Sequence, residues 1–416
     1  MENRKMKPSG IEWIGDIPSD WEVSNIGGMY TVRNQKVSDR DYPPLSVTKQ
    51  GVLPQLDFVA KTNAHDDRKL VKKGDFAINS RSDRRGSCGV SEYDGSVSLI
   101  NTVLKPREQM HAGYYNWLFH TIQFGDEFYK NGHGIVDDLW TTNWQDMKRM
   151  HVPSPSLSEQ RAIALYLDTK CTEIDALVAD IQSQIETLEQ YKRSLITETV
   201  TKGLNPDVET KDSGIEWVGN IPKHWEVNKG KYFLRYLQKP VKDTDDVITC
   251  FRDGEVTLRS NRREDGFTVS LKEIGYQGID VGDLVVHGMD GFAGAIGISD
   301  SRGKASPVLN VLDTDNNKRY IMYYLRNMAY NGVFIALATG IRVRTCDTGW
   351  NKLRELPYLL PPKNEQDEIA NYIDTKCSEI DEVIAEKKNQ IETLDSYKKS
   401  LIYEYVTGKK QVKENA

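Results

Sequence analysis

Two passages of the chain are each written twice, and any fold it adopts has to use them twice. Residues 9–23 (SGIEWIGDIPSDWEV) return at 213–227 (SGIEWVGNIPKHWEV) with 11 of 15 positions identical, and residues 159–201 return at 365–407 with 26 of 43 identical. The offsets are 204 and 206 residues, so the 416-residue chain is two copies of one unit. Each copy has an opening motif, a divergent globular stretch and a closing helical segment.

Landmarks persist where the copies diverge. Gly74-Asp75 ends a polar run and opens an apolar one, as Gly282-Asp283 does; Gly134-Ile135 followed by Trp144 and Pro153 is matched by Gly340-Ile341, Trp350 and Pro361. Six of the eight tryptophans form three pairs, Trp13/Trp217, Trp21/Trp225 and Trp144/Trp350, and are expected to be core anchors of one fold used twice. Constant anchors under changing surfaces suit a protein that must read two different short sequences.

The divergent stretches read as mixed α and β. Phe76-Ala-Ile-Asn79 and Asp283-Leu-Val-Val-His287 are short, β-branched or apolar runs bounded by glycine and predict strands. Residues 114–124 and 320–328 are aromatic-rich and predict short helices. The glycine run 291–297 lacks the G-x-G-x-x-G spacing of a nucleotide site and predicts a tight turn between strands.

The closing segments predict long helices starting near Ser158-Glu159 and Asn364-Glu365, with no internal Pro or Gly. In the first, Ile174, Val178, Ile181, Ile185, Leu188 and Leu195 step by three and four, with one interruption near Tyr191-Lys192. In the second, Ile380, Ile384, Ile391, Leu394 and Leu401 do the same, with Lys387 at one apolar position. So narrow a seam needs a partner helix, and the economical partner for each is the other. Roughly 40 residues at 1.5 Å each make a rod of about 60 Å. If the pair runs antiparallel, it relates the two globular parts by an approximate two-fold axis.

Charge is segregated. The net charge is −6, yet residues 1–156 carry 20 basic and 20 acidic groups and 208–362 carry 21 and 20, while the helical segments 157–207 (5 and 9) and 363–416 (9 and 12) hold the excess acid. A nucleic-acid surface therefore has to be a local basic patch. Five scattered cysteines without a CxxC pair predict reduced thiols rather than a disulfide or zinc framework. With no long apolar run and no signal-like start, a cytoplasmic location is expected.

The SGIEWxGxIPxxWEV opener, the EQxxIAxYxDTKCxEID helix start and the ETLxxYKxSLIxExVT helix end resemble those of specificity subunits of type I restriction-modification systems, across essentially the whole chain. The resemblance implies an α+β protein in which two similar target-recognition domains are joined by an antiparallel coiled coil. The segments are then 1–156 (recognition domain 1), 157–207 (spacer helix 1 and linker), 208–362 (recognition domain 2) and 363–416 (spacer helix 2 and tail). It further implies that each domain reads one half of a gapped double-stranded DNA site. Two modification (methyltransferase) subunits and the restriction subunits would dock on this chain, with S-adenosylmethionine, ATP and Mg held by those partners and no cofactor here.

Base-contacting residues do not transfer with that resemblance, so they are chosen by chemistry: Arg, Lys, Asn and Gln for base edges and phosphates. The first domain offers Asn79, Arg81, Arg84 and Arg85 after a predicted strand, with Lys49 and Gln50; the second offers Arg252, Arg259, Asn261, Arg262, Arg263, Arg342 and Arg344. Catalytic and metal-binding groups are not expected. Asp41-Tyr-Pro43-Pro44 and Pro361-Pro362-Lys363 fail the adenine-methyltransferase pattern, and the nuclease-like letters Pro206-Asp207-Val-Glu209-Thr-Lys211 fall in a polar linker. No phosphate-cradling G-x-x-x-x-G-K-[ST] loop is present. The competing readings are a stand-alone DNA-modifying enzyme and a coiled-coil assembly protein without a DNA role.

Overall fold

The computed structural model describes residues 4–55, 65–81, 84–135, 140–262, 273–336 and 348–412. The chain divides into two compact units, residues 1–181 with 389–416 and residues 182–388. The division falls inside each long helix, so the segments 157–207 and 363–416 are shared out between the units rather than standing as separate bodies.

In the first unit an antiparallel sheet runs in the order Cys88–Val90, Phe76–Asn79, Asn101–Pro106, Tyr30–Val32. Phe76–Asn79 is buried along its whole length, which is why it reads as an unbroken apolar run instead of an alternating one. One face packs on Ala112–Phe119 and Ile122–Lys130 through Tyr30, Phe76, Tyr115, Phe119 and Phe124, whose rings meet at 4.5–6.5 Å in tilted and edge-on pairs. The sequence predicts one helix over 114–124. Two form because Thr121 leaves the helical path and its hydroxyl accepts from the Phe124 amide, starting a new helix. The other face carries Leu45, Val52, Val71, Ala77, Val97 and Val103.

The second unit repeats this plan with the order Ile296–Ile298, Leu284–His287, Leu309–Thr314, Leu234–Leu237, covered by the helix Lys318–Tyr330. The glycine run lies between two of these strands as the 3-10 turn Gly291–Ala293 followed by left-handed Gly294, so the expectation of a turn agrees with the structure. Small hairpins are matched too. Leu45–Thr48 pairs with Gly51–Pro54, Ile248–Cys250 pairs with Val256–Leu258, and the bridges Val52 to Ser91 and Val256 to Ser299 attach them alike.

The two repeated motifs are tied together in each unit. Buried Trp21 donates its indole N–H to Glu159 at 2.8 Å, and buried Trp225 donates to Glu365 at 3.0 Å. Gln160 accepts from the His111 amide and donates to the Pro155 carbonyl, while Gln366 accepts from the Asn317 amide and donates to the Pro361 carbonyl. Trp21/Trp225, Glu159/Glu365 and Gln160/Gln366, identical between the copies, are thus the residues through which opener, helix start and globular part satisfy one another's buried polar groups.

The long helices are Leu157–Lys202 and Lys363–Val406. The first starts at Leu157, one residue before the expected Ser158; the Ser156 hydroxyl accepts from the Glu159 amide and supplies the cap. In the first unit Asp175 meets Lys398 at 2.5 Å and the rings of Tyr166 and Tyr405 lie 4.5 Å apart. In the second, Gln184 meets Lys387 and Lys192 meets Asp381, each at 2.5 Å. Within each unit rising numbers on one helix meet falling numbers on the other, so the two segments run antiparallel. Ile174, Ile181, Ile185, Leu195, Ile380, Ile384 and Leu401 are buried, and Val178, Leu188, Ile391 and Leu394 are half-buried. Where the seam is interrupted, Lys192 and Lys387 make the polar cross-helix contacts just named.

Candidate nucleic-acid interface

In the first unit the basic cluster occupies the loop after Phe76–Asn79. Asn79 is buried, 9% exposed, and its side-chain oxygen accepts from the Arg81 amide at 3.0 Å, so it shapes the loop rather than presenting donors at the surface. Arg81, Arg84 and Arg85 are exposed. The Arg85 guanidinium stacks 3.8 Å above the Tyr129 ring and lies 3.5 Å from Asp126. Lys49 and Gln50 are exposed at the tip of the 45–54 hairpin, whose turn is closed by the Thr48 hydroxyl accepting from the Gln50 amide.

In the second unit the cluster lies on the 248–258 hairpin and the turn that follows it. Arg252 is exposed at the hairpin tip and paired with Asp290 at 2.8 Å. Arg259 and Asn261 donate to Thr249 and Thr257 on the hairpin strands. Arg262 lies 4.1 Å from the Phe251 ring centre and pairs with Asp253 and Glu255 at 2.7 and 3.2 Å. Exposed pairs of this kind hold by about 1 kcal/mol or less, so a polyanion making several contacts can displace the carboxylates. Arg263, Arg342 and Arg344 lie outside the described residues.

The duplicated fold shows that the two clusters are not counterparts. Residues 81–85 follow the strand whose counterpart is Leu284–His287, and the positions matching Ser80-Arg81 are Gly288-Met289. Residues 259–262 instead follow the counterpart of Gly51–Pro54. The turns that do correspond are Lys49-Gln50-Gly51 and Arg252-Asp253-Gly254, both completed by a glycine of positive φ, 110° and 89°.

Arg326 was not singled out by sequence. It lies on the helix Lys318–Tyr330 and donates to the carbonyls of Gly254 at 2.9 Å and Ile296 at 2.7 Å. No short-range pattern marks it, because both acceptors are at least 30 residues away. Burial pushes the thiol of Cys171 up to about 11 and that of Cys250 to about 12, which keeps them protonated and unreactive. Among the described residues no group of three or more His, Cys, Asp or Glu side chains is placed to hold a metal ion, and no helix is long and apolar enough to cross a membrane. Exposed guanidinium, ammonium and amide donors over a rigid sheet can bind an anionic, hydrogen-bonding surface.

No protein-family model matches the chain. It is 25% identical over 433 residues to a putative type I restriction enzyme MjaX specificity subunit of Methanocaldococcus jannaschii, covering 96% of each chain. It is 27% identical over 239 residues to the MjaVIII specificity subunit of the same organism, covering 52% of each. Among solved structures, a chain from a study of assembly and conformational transition of the type I R-M system matches with a TM-score of 0.68 at 11% identity, over 94% of this chain and 99% of that one. The HsdS subunit from Thermoanaerobacter tengcongensis matches with a TM-score of 0.50 at 14% identity, over 94% and 98%.

Proposed function

We propose that this chain, a relative of the type I restriction enzyme specificity subunits along its whole length, acts as the sequence-reading, non-catalytic subunit of such an enzyme. The observation that carries the reading is the match over 96% of both chains to a specificity subunit, in a protein whose fold is duplicated internally. Each globular part reads one half of a gapped double-stranded site, and the paired helices act as the spacer between the halves. Divergence of the globular surfaces over constant anchors supports this, since two different half-sites demand two different surfaces on one scaffold.

In this reading the chain works in the cytoplasm and scaffolds two modification subunits and the restriction subunits. S-adenosylmethionine, ATP and Mg belong to those partners. Neither rival reading has a specific observation in its favour: duplicated, divergent heads are superfluous in an assembly rod and in a self-contained modifying enzyme alike.

Long-read sequencing of methylated bases in cells producing the chain with its modification subunit tests the proposal. A gapped bipartite methylated motif, lost when the gene for this chain is deleted, is expected. A continuous motif, or one that survives the deletion, overturns it.

A further inference from the structure

Building on that reading, we infer that the hairpin turn 251–255 is the element through which the second head reads its bases, and that Arg326 is the residue that positions it. Three features fix the turn. Arg326 donates to the Gly254 carbonyl from below while its second donor is held by the Ile296 carbonyl, so the guanidinium bridges the turn to the sheet. Gly254 has φ +89°, and a Cβ there would fall 1.7 Å from the Arg326 Nη2. A Cβ on Gly297 would fall 1.9 Å from the Gly254 oxygen, so the turn is seated on a glycine of the neighbouring strand.

The seat recurs in the first head, where a Cβ on Gly89 would fall 2.7 Å from the Gly51 Cα. Both heads therefore press the same turn onto the same strand, and the residues displayed there differ: Lys49 and Gln50 in one, Arg252 in the other. A constant seat under changed donor groups is the arrangement a specificity element requires, because donors must be held to within a fraction of an ångström of a base edge. On the second turn Arg262, stacked on Phe251 and paired with Asp253, braces the outer side. Arg252 is left as the exposed guanidinium at the tip, its side chain 62% exposed.

The test uses the full chain with its modification subunits. Methylated motifs are read in cells carrying the unmodified chain, Arg326→Gln, Arg326→Lys and Arg252→Ala. Arg326→Gln is expected to relax one half of the motif by about tenfold against single-base variants and to leave the other half unchanged. Lysine should restore part of the discrimination, and Arg252→Ala should relax the same half. An unmodified chain that yields a gapped motif while Arg326→Gln and Arg252→Ala both keep full discrimination overturns the inference alone. Equal decay of both halves also overturns it, and absence of any gapped motif with the unmodified chain overturns the underlying reading. Arg252 is exposed, so its variant folds and decides the matter even if Arg326→Gln does not.

Discussion

The ammonium of Lys192 donates to the Asp381 carboxylate across 2.5 Å, from one long helix to the other. Moved by the repeat offset of 206 residues, the same two residue types meet again as Lys398 and Asp175. Opposite charges at equivalent heights favour the antiparallel register in each unit, since a one-turn slip would take the Asp381 carboxylate away from Lys192 and bring uncharged Ser378 or Ala385 in its place.

These pairs are partly exposed, so their contribution is expected to be small and specific. Asp381→Lys should cost about 1 kcal/mol or less, and the exchange Lys192→Asp with Asp381→Lys should recover most of it. A double-mutant cycle followed by denaturant unfolding measures the coupling, expected near 0.5 kcal/mol.

Gly408 and Gly15 share φ +72° but differ in surroundings. A Cβ on Gly408 would lie 2.4 Å from Pro18 Cδ and 3.0 Å from the Trp21 ring, whereas one on Gly15 would meet nothing within 4 Å. Both alanine variants carry the left-handed strain of about 1 kcal/mol. Gly408→Ala should cost about 1–2 kcal/mol more, because overpacking adds to the strain. Denaturation midpoints of the two variants give the comparison.

Acid should weaken the second unit in a defined window. Hydrogen bonds from Lys239 and Arg302 hold the Asp280 carboxyl down at about 2, and Lys318 and Arg235 hold Asp313 at about 2, against an ordinary value of 3.8. Depressed folded-state values mean that the stabilisation is fully present above about pH 4 and is lost as pH falls through 2. Asp280→Asn with Asp313→Asn should therefore lower stability at pH 6 and flatten its fall between pH 4 and 2. Denaturant midpoints across that range check both.

The loop holding Arg84 and Arg85 should act mainly on backbone phosphates. Replacing both with alanine is expected to weaken DNA binding and to reduce the slope of log affinity against log salt by about two. Titrations of a labelled duplex at several salt concentrations measure it.

Much of this architecture was legible in sequence, for local reasons. The 204- and 206-residue offsets, the apolar runs after Gly74-Asp75 and Gly282-Asp283, and the three- and four-residue stepping from Ile174 to Leu195 are all written along the chain. The break at His120-Thr121 was missed because helix propensity is continuous there and only the Thr121 cap ends it. The candidate site was less legible. Arginine density singles out residues 81–85 and 259–262, one cluster in each domain, but does not say which parts of the two domains correspond; strand pairing makes 49–51 and 252–254 the matching turns. Gly89, Gly297 and Arg326 act through residues at least 30 positions distant, and no periodicity or local spacing encodes such contacts.

Replacing residues 24–150 with the corresponding stretch of a relative that has a different target, and then sequencing methylated bases in cells, tests the account at its centre. One half of the gapped motif should change, with the other half and the gap retained. A change in both halves, or a motif untouched by the exchange, would contradict the assignment of one reading head to each half-site.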